Sequence, residues 1–166
     1  MPKIAPCLWF DGRAEEAARF YADALPDTRV DAVHRSPIDY PAGKAGDALT
    51  VEFTLVGMPV VGLNGGGGVP FTDAISFQIY TDNQEETDRL WSALLADGGK
   101  EVQCSWLRDK FGLSWQIAPR RLLEMISDTA NPAAAGRAMQ AMMGMVKIDI
   151  AELERAYSGD AASRTS

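Results

Sequence analysis

The sequence predicts an α+β fold: two βαβββ modules followed by a C-terminal helical extension. Three observations predict it. The chain contains a faint copy of itself: Phe10-Tyr21 (FDGRAEEAARFY) aligns with Tyr80-Trp91 (YTDNQEETDRLW) at an offset of 70 residues, so that Glu15, Glu16 and Arg19 meet Glu85, Glu86 and Arg89. Each copy follows a short apolar run, Cys7-Phe10 and Ile75-Tyr80. Leu49-Leu55 alternates strictly, with Leu49, Val51, Phe53 and Leu55 on one side and Thr50, Glu52 and Thr54 on the other, the period of a half-buried strand. A repeated strand-helix unit implies that a whole module repeats, because one alone buries too little apolar surface.

The elements follow in order. A strand opens near Ile4 and ends at Leu8-Phe10; a helix starts at Asp11 or Gly12, with Glu15 and Glu16 placed favourably beside its N-terminal dipole. Ala14, Ala17, Ala18, Tyr21 and Leu25 form its apolar stripe, and Pro26 stops it. Val30-Arg35 is a strand, and Ser36-Asp47, with two prolines and two glycines, is a loop. Gly57-Met58 turns the chain into a hairpin partner, Pro59-Asn64. The second module has a strand at Ile75-Tyr80 and a helix at Gln84-Ala96, capped by Asp82 or Asn83 and ended by Gly98-Gly99. Three short strands follow, Lys100-Cys104, Ser105-Arg108 and Leu113-Ala118, with a turn at Asp109-Gly112. Leu122, Leu123 and Ile126 share a helical face. Asn131-Pro132 starts another helix, and Ile148, Ile150, Leu153 and Tyr157 mark a third. The organisation is therefore a first module at 1–66, a Gly-rich linker at 67–72, a second module at 73–119, the extension at 120–157 and a flexible tail at 158–166.

Of the 166 residues, 46% are hydrophobic, enough for a core, and the net charge is −7. That balance offers no basic stripe for nucleic acid or an anionic membrane. No apolar leader follows Met1-Pro2-Lys3 and no stretch has transmembrane length, so the expectation is a cytoplasmic protein. Cys7 and Cys104 make no disulfide framework; both are expected to be buried and inert. Trp9, Trp91, Trp106 and Trp115 are expected in the core, with Trp106 at a pocket edge.

Leu8-Trp9-Phe10-Asp11-Gly12, Asp73-Ala74-Ile75-Ser76-Phe77-Gln78, the tryptophan-containing run from Cys104 to Gln116, and Met139-Gln140-Ala141-Met142-Met143 resemble the PhnB-like branch of the vicinal oxygen chelate superfamily, the glyoxalase and bleomycin-resistance fold. Members of this branch often carry the label 3-demethylubiquinone-9 3-methyltransferase. The resemblance implies that each module forms a curled sheet, that two sheets face one another around a pocket, and that modules pair within or between chains. It also implies four metal-ligand positions, which fall on Pro6, Gly62, Ser76 and Gln116. Two of these carry no side-chain donor and two are weak neutral oxygens, whereas a divalent ion of this fold needs histidine and carboxylate. No metal and no cofactor are expected.

Strand alternation from those positions points Leu8, Val60, Gly62, Asn64, Ser76, Gln78, Ser114 and Gln116 at the pocket. For Gln78 a solvent-facing place is equally open. Such a cavity suits an uncharged small molecule held by hydrogen bonds. Glu52 is a candidate general base if burial raises its pKa, though a solvated strand face is the simpler expectation. The function expected is metal-free small-molecule binding. The alternatives are an isomerase, lyase or transferase using Glu52 or a bound water, or a metalloenzyme with other ligands. The apolar segment 133–147 predicts a homodimer. The glycines at 65–68 lack the spacing of a phosphate loop or of a dinucleotide fingerprint.

Overall fold

A computed structural model of the chain describes residues 3–160, which leaves all of the expected tail beyond Asp160 outside the described residues. Contacts divide the chain into two units, one ending at Phe71 and one starting at Thr72. In the first, β1 (Cys7–Phe10), α1 (Ala14–Ala24), β2 (Arg29–Arg35), β3 (Ala48–Leu55) and β4 (Met58–Asn64) follow in order. In the second come β5 (Phe77–Thr81), α2 (Gln84–Leu95), β6 (Lys100–Glu101), β7 (Trp106–Arg108) and β8 (Ser114–Pro119). The sheets have the same topology, β1-β4-β3-β2 and β5-β8-β7-β6, each with one parallel pair. Glu15 and Glu85 are both the second residue of their helices, as the repeat predicts.

In the first unit the stripe Ala14, Ala17, Ala18 and Tyr21 is buried against the sheet, where Tyr21 stacks on Phe53 at 6.2 Å between ring centroids. Val51, Phe53 and Leu55 are buried on that side, as their alternation requires. Gly62 lies opposite Val51 and admits the helix: a Cβ there would stand 3.1 Å from Ala14 Cβ. The helix starts at Ala14, later than the sequence suggests, and no side chain of its own N-terminus caps it. Asn64, at the end of β4, supplies the missing acceptor: its Oδ1 takes the Ala14 N–H at 2.9 Å, while its Nδ2 donates to Ala48 O at 2.8 Å. The segment after β4 is tied back to this unit, since Trp9 Nε1 donates to Gly66 O and Phe71 packs edge-on against Phe10.

In the second unit α2 is capped locally, with Asn83 accepting from Glu86 N at 2.9 Å. Thr87, Leu90, Trp91 and Leu94 are buried against Ile79, Leu107, Trp115 and Ile117. Buried Asp109 builds the predicted turn by accepting from Phe111 N, Leu113 N and Trp115 Nε1. The strands expected at Lys100-Cys104 and Ser105-Arg108 shrink to β6 and β7. Between them Cys104 (φ 57) and Ser105 (φ 74) adopt left-handed backbone, which cannot continue a ladder. Cys7 is exposed and Trp9 is 37% exposed, so the expected burial of both is corrected. They lie on the side of β1 opposite Leu8 and Phe10.

The extension forms α3 (Arg120–Ile126), α4 (Pro132–Met143) and α5 (Ile150–Ser158). Leu122, Met125, Ala138, Met145, Ile148 and Leu153 make its core. The Arg121 guanidinium grips Glu154 through two hydrogen bonds, and Arg137 caps α5 by donating to Ala156 O and Tyr157 O. No helix among the described residues is long and apolar enough to cross a membrane.

Asn64→Ala is expected to cost about 2 kcal/mol or more, because it strands a helix N–H and a strand carbonyl together in a buried place. Urea unfolding checks this; a loss below about 0.5 kcal/mol would show that water replaces both bonds.

Candidate functional site

Each helix covers one side of its sheet, so the far side carries the accessible chemistry. In the second unit the helix-facing residues of β5, β7 and β8 are Ile79, Thr81, Leu107, Trp115 and Ile117, all buried. Alternation puts Gln78, Tyr80, Trp106, Arg108, Ser114 and Gln116 on the far face. The registers align Gln78, Gln116 and Trp106 in one row across three strands, and Ser114 with Arg108 in the next. Gln116 Nε2 donates to Ser76 Oγ at 2.9 Å, and Tyr80 OH donates to Gln78 Oε1 at 3.2 Å. Ser76, Gln78, Ser114 and Gln116 therefore lie close together on this unit.

The neighbouring row holds an ion pair the sequence reading missed. Arg108 donates to both carboxylate oxygens of Asp73, and Ser114 Oγ donates to its Oδ1 at 2.6 Å. The hydrogen bonds from Arg108, then from Ser114, hold the Asp73 carboxyl at about 2, and Asp73 in turn raises Arg108. Asp73 and Arg108 lie 35 positions apart, a separation that no local pattern signals.

In the first unit the expected residues sit on the other side. Leu8, Val60 and Asn64 are buried, and Gly62 faces Ala14. For β1 the cause is one residue, and β4 follows because it sets Val61, not Gly62, beside Cys7. Three residues, Asp11 to Arg13, join β1 to α1, but only Asp82 and Asn83 join β5 to α2. The helices repeat at 70 residues, while the helix-facing strand residues Leu8 and Phe10 match Ile79 and Thr81, at 71. A one-residue slip exchanges the two faces of a strand. The counterparts of Gln78 and Gln116 are thus Cys7 and Val61, paired in register.

The far side of the first sheet also carries Glu52, paired with Val61 and Ala32. Glu52 Oε1 lies 3.1 Å from His34 Nε2. A depression of about 280 Å³ is lined by Glu52, Asp31, Ala5, Phe53, Pro59, Val60 and Val61. Asp31 was not anticipated as a second carboxylate; it accepts from Thr54 Oγ1 at 2.7 Å and pairs with Arg29.

The four positions at which the resemblance places metal ligands do not fit a divalent ion. Pro6 and Gly62 bring no donor, and Ser76 and Gln116 are spent on one another. The slip moves the first-unit positions to residues no better suited, Val61 among them. Among the described residues no group of three or more His, Cys, Asp or Glu side chains converges.

A family profile described as 3-demethylubiquinone-9 3-methyltransferase matches residues 2–118. Among solved structures, the chain is similar to a putative 3-demethylubiquinone-9 3-methyltransferase, PhnB protein, from Bacillus cereus. The two are 30% identical over 71% of this chain and 99% of that one, with a TM-score of 0.63. The protein PA1353 from Pseudomonas aeruginosa is 20% identical over 72% of this chain and 98% of that one, with a TM-score of 0.57, a likeness of fold. A glyoxylase/bleomycin resistance protein/dioxygenase domain from Frankia sp. EAN1pec is 13% identical over 72% of this chain and 92% of that one, at a TM-score of 0.46. No curated protein matches.

Folding favours the charged form of Asp73, so its contribution to stability is full above its ordinary value of 3.8 and is lost as pH falls toward about 2. Carboxyl-carbon NMR is expected to place the midpoint near 2, and Arg108→Leu to return it toward 3.8. An unchanged midpoint in the variant would remove Arg108 as the cause.

Proposed function

The chain belongs to the PhnB-like branch of the vicinal oxygen chelate superfamily, and we propose that it binds a small, uncharged, hydrogen-bonding molecule against the far face of its second sheet. The observation that carries this reading is the row Gln78, Gln116 and Trp106: two amides beside one indole, with no formal charge. Amides donate and accept, and the indole offers a flat apolar wall, so the row suits a planar polar ligand. Asp73 and Arg108 next to it neutralise one another. Gln116 is half-buried and already orients its amide through Ser76, which lowers the entropy cost of presenting it.

The name methyltransferase brings no further support. S-adenosylmethionine enzymes of the usual kind use a glycine-rich first turn in a parallel doubly wound sheet. Each sheet here pairs its strands in parallel only once. The glycine run serves packing instead: a Cβ on Gly65 would stand 2.2 Å from the Trp9 ring. A second reading rests on the His34–Glu52 contact beside the first-unit depression, a carboxylate and an imidazole able to exchange a proton with a bound substrate. Glu52→Gln, tested on any ligand found to turn over, decides between the two.

A thermal-shift screen of uncharged metabolites is expected to find a ligand that stabilises by about 2.7 kcal/mol at a hundredfold excess over Kd. Gln116→Ala is then expected to weaken it by about 1–3 kcal/mol while leaving unfolding nearly unchanged. Unaltered binding in an unfolding-prone variant would make Gln116 structural. We propose also that the chain pairs with a second copy: Met139, Met143 and Val146 stay exposed on and just after α4, although Ala135, Ala138 and Met145 are buried within the unit. Light scattering is expected to give twice the 18.0 kDa of one chain, and the single mass at micromolar concentration would refute the pairing.

A further inference from the structure

The family match ends at residue 118, and the Bacillus cereus protein is covered over 99% of its length by 71% of this chain. The three-helix extension is thus additional to the shared fold, and its contacts with the sheet are few and specific. After α4, Met145 O accepts the Cys104 N–H and Val146 O accepts the Ser105 N–H, each at 2.9 Å. Both donors have left-handed backbone. Ser105 in turn grips β8: its carbonyl accepts from Ile117 N at 3.0 Å, and its hydroxyl donates to Ile117 O. The next residue is Trp106, directly opposite Gln116.

The repeat shows what this hold changes. The edge strand of the first sheet, β2, runs for seven residues, whereas its counterpart β6 has two and gives way to the Val102–Ser105 loop. Left-handed backbone is uncommon for residues other than glycine, and here two such residues in succession give their N–H groups to the extension. Were Cys104 and Ser105 to relax into strand, Ser105 would lose its hold on Ile117, and the end of β7 that carries Trp106 would be freed from β8, while the Asp109 turn kept the other end in place.

The extension is itself held by side chains of α2. Gln84, the first residue of α2, donates through Nε2 to Ile148 O at 3.0 Å and accepts at Oε1 from Ile150 N at 2.9 Å. Ile148 lies two residues after Val146. Lys147, between them, pairs with Asp88 one turn further along α2.

We propose that the helical extension is a positioning element for the ligand face of the second sheet: Gln84 anchors it, its Met145 and Val146 carbonyls hold the Cys104-Ser105 bend, and the bend aims Trp106 at Gln116. The role as a ligand face rests on the function proposed above; the positioning does not. Gln84 touches no ligand in this scheme and acts only through the extension.

The test is hydrogen exchange and indole NMR on the full chain, which need no ligand. Gln84→Ala, and Gln84→Met as a variant of similar volume, are expected to speed exchange of the Cys104, Ser105 and Ile117 amides about tenfold. Both are expected to shift the Trp106 indole signal, identified by Trp106→Phe. Asn83→Ala, which removes the cap of the same helix without touching the extension, is expected to leave these signals in place. Exchange at Cys104 and Ser105 that rises no more than at Leu90, or an unmoved Trp106 indole, would overturn the proposal, whereas an empty metabolite screen would overturn only the binding reading.

Discussion

The first unit depends on the close approach of α1 to its sheet, where Ala14 lies against Gly62. A Cβ at 62 would lie 3.1 Å from Ala14 Cβ, so that α1 would have to give way by a few tenths of an ångström. With the helix seated, Asn64 comes within reach of the Ala14 N–H, and the helix gains the acceptor that its own N-terminus lacks. Seating the helix also chooses which face of the sheet is core. Leu8, Val60 and Phe53 are committed to the inside, and Cys7, Val61 and Glu52 are left on the other side. In the second unit a hydroxyl pair, Thr81 and Thr87 at 2.7 Å, joins strand to helix at the corresponding corner.

Two modules built on one plan have therefore diverged in what they present. The second sheet shows amides, hydroxyls, an indole and a compensated ion pair. The first shows an apolar strip edged by Glu52 and Asp31. The difference is concentrated at equivalent register positions, Val61 against Gln116 and Cys7 against Gln78. Exchanging an aliphatic for an amide at such a position alters what a ligand meets without disturbing the core, because the helix-facing residues between them keep the packing.

Polar groups inside the units show the same economy of means. Asp109 satisfies two turn amides and one indole N–H, and so locks the β7–β8 hairpin to Trp115. Asp128 does similar service in the extension: hydrogen bonds from Tyr157, then Asn131, keep its carboxyl at about 2 and join the start of α4 to the end of α5. Among the described residues no buried side-chain nitrogen or oxygen lacks a partner. That is the condition for placing polar residues in a small core at little cost.

Elements whose signals are local were legible in the chain alone. The alternation of 49–55, a cap at Asp82 or Asn83, the Asp109 turn, the Asn131-Pro132 helix start and the strand-helix duplication all follow from interactions within a few residues. That Ser76 shares a side with Gln78, and Ser114 with Gln116, is alternation within single strands; that the two pairs meet is the work of the β5–β8 register. The faces of β1 and β4 were set instead by packing across the fold. A connection shorter by one residue leaves the helix repeat intact while it reverses a strand, and no period in the sequence records that. Nor could the sequence tell that Asn64 would cap a helix 50 residues away, or that Cys104 and Ser105 would leave the strand to meet the extension. Those outcomes depend on which backbone donors find acceptors across the fold, and that pairing exists only once the chain has closed.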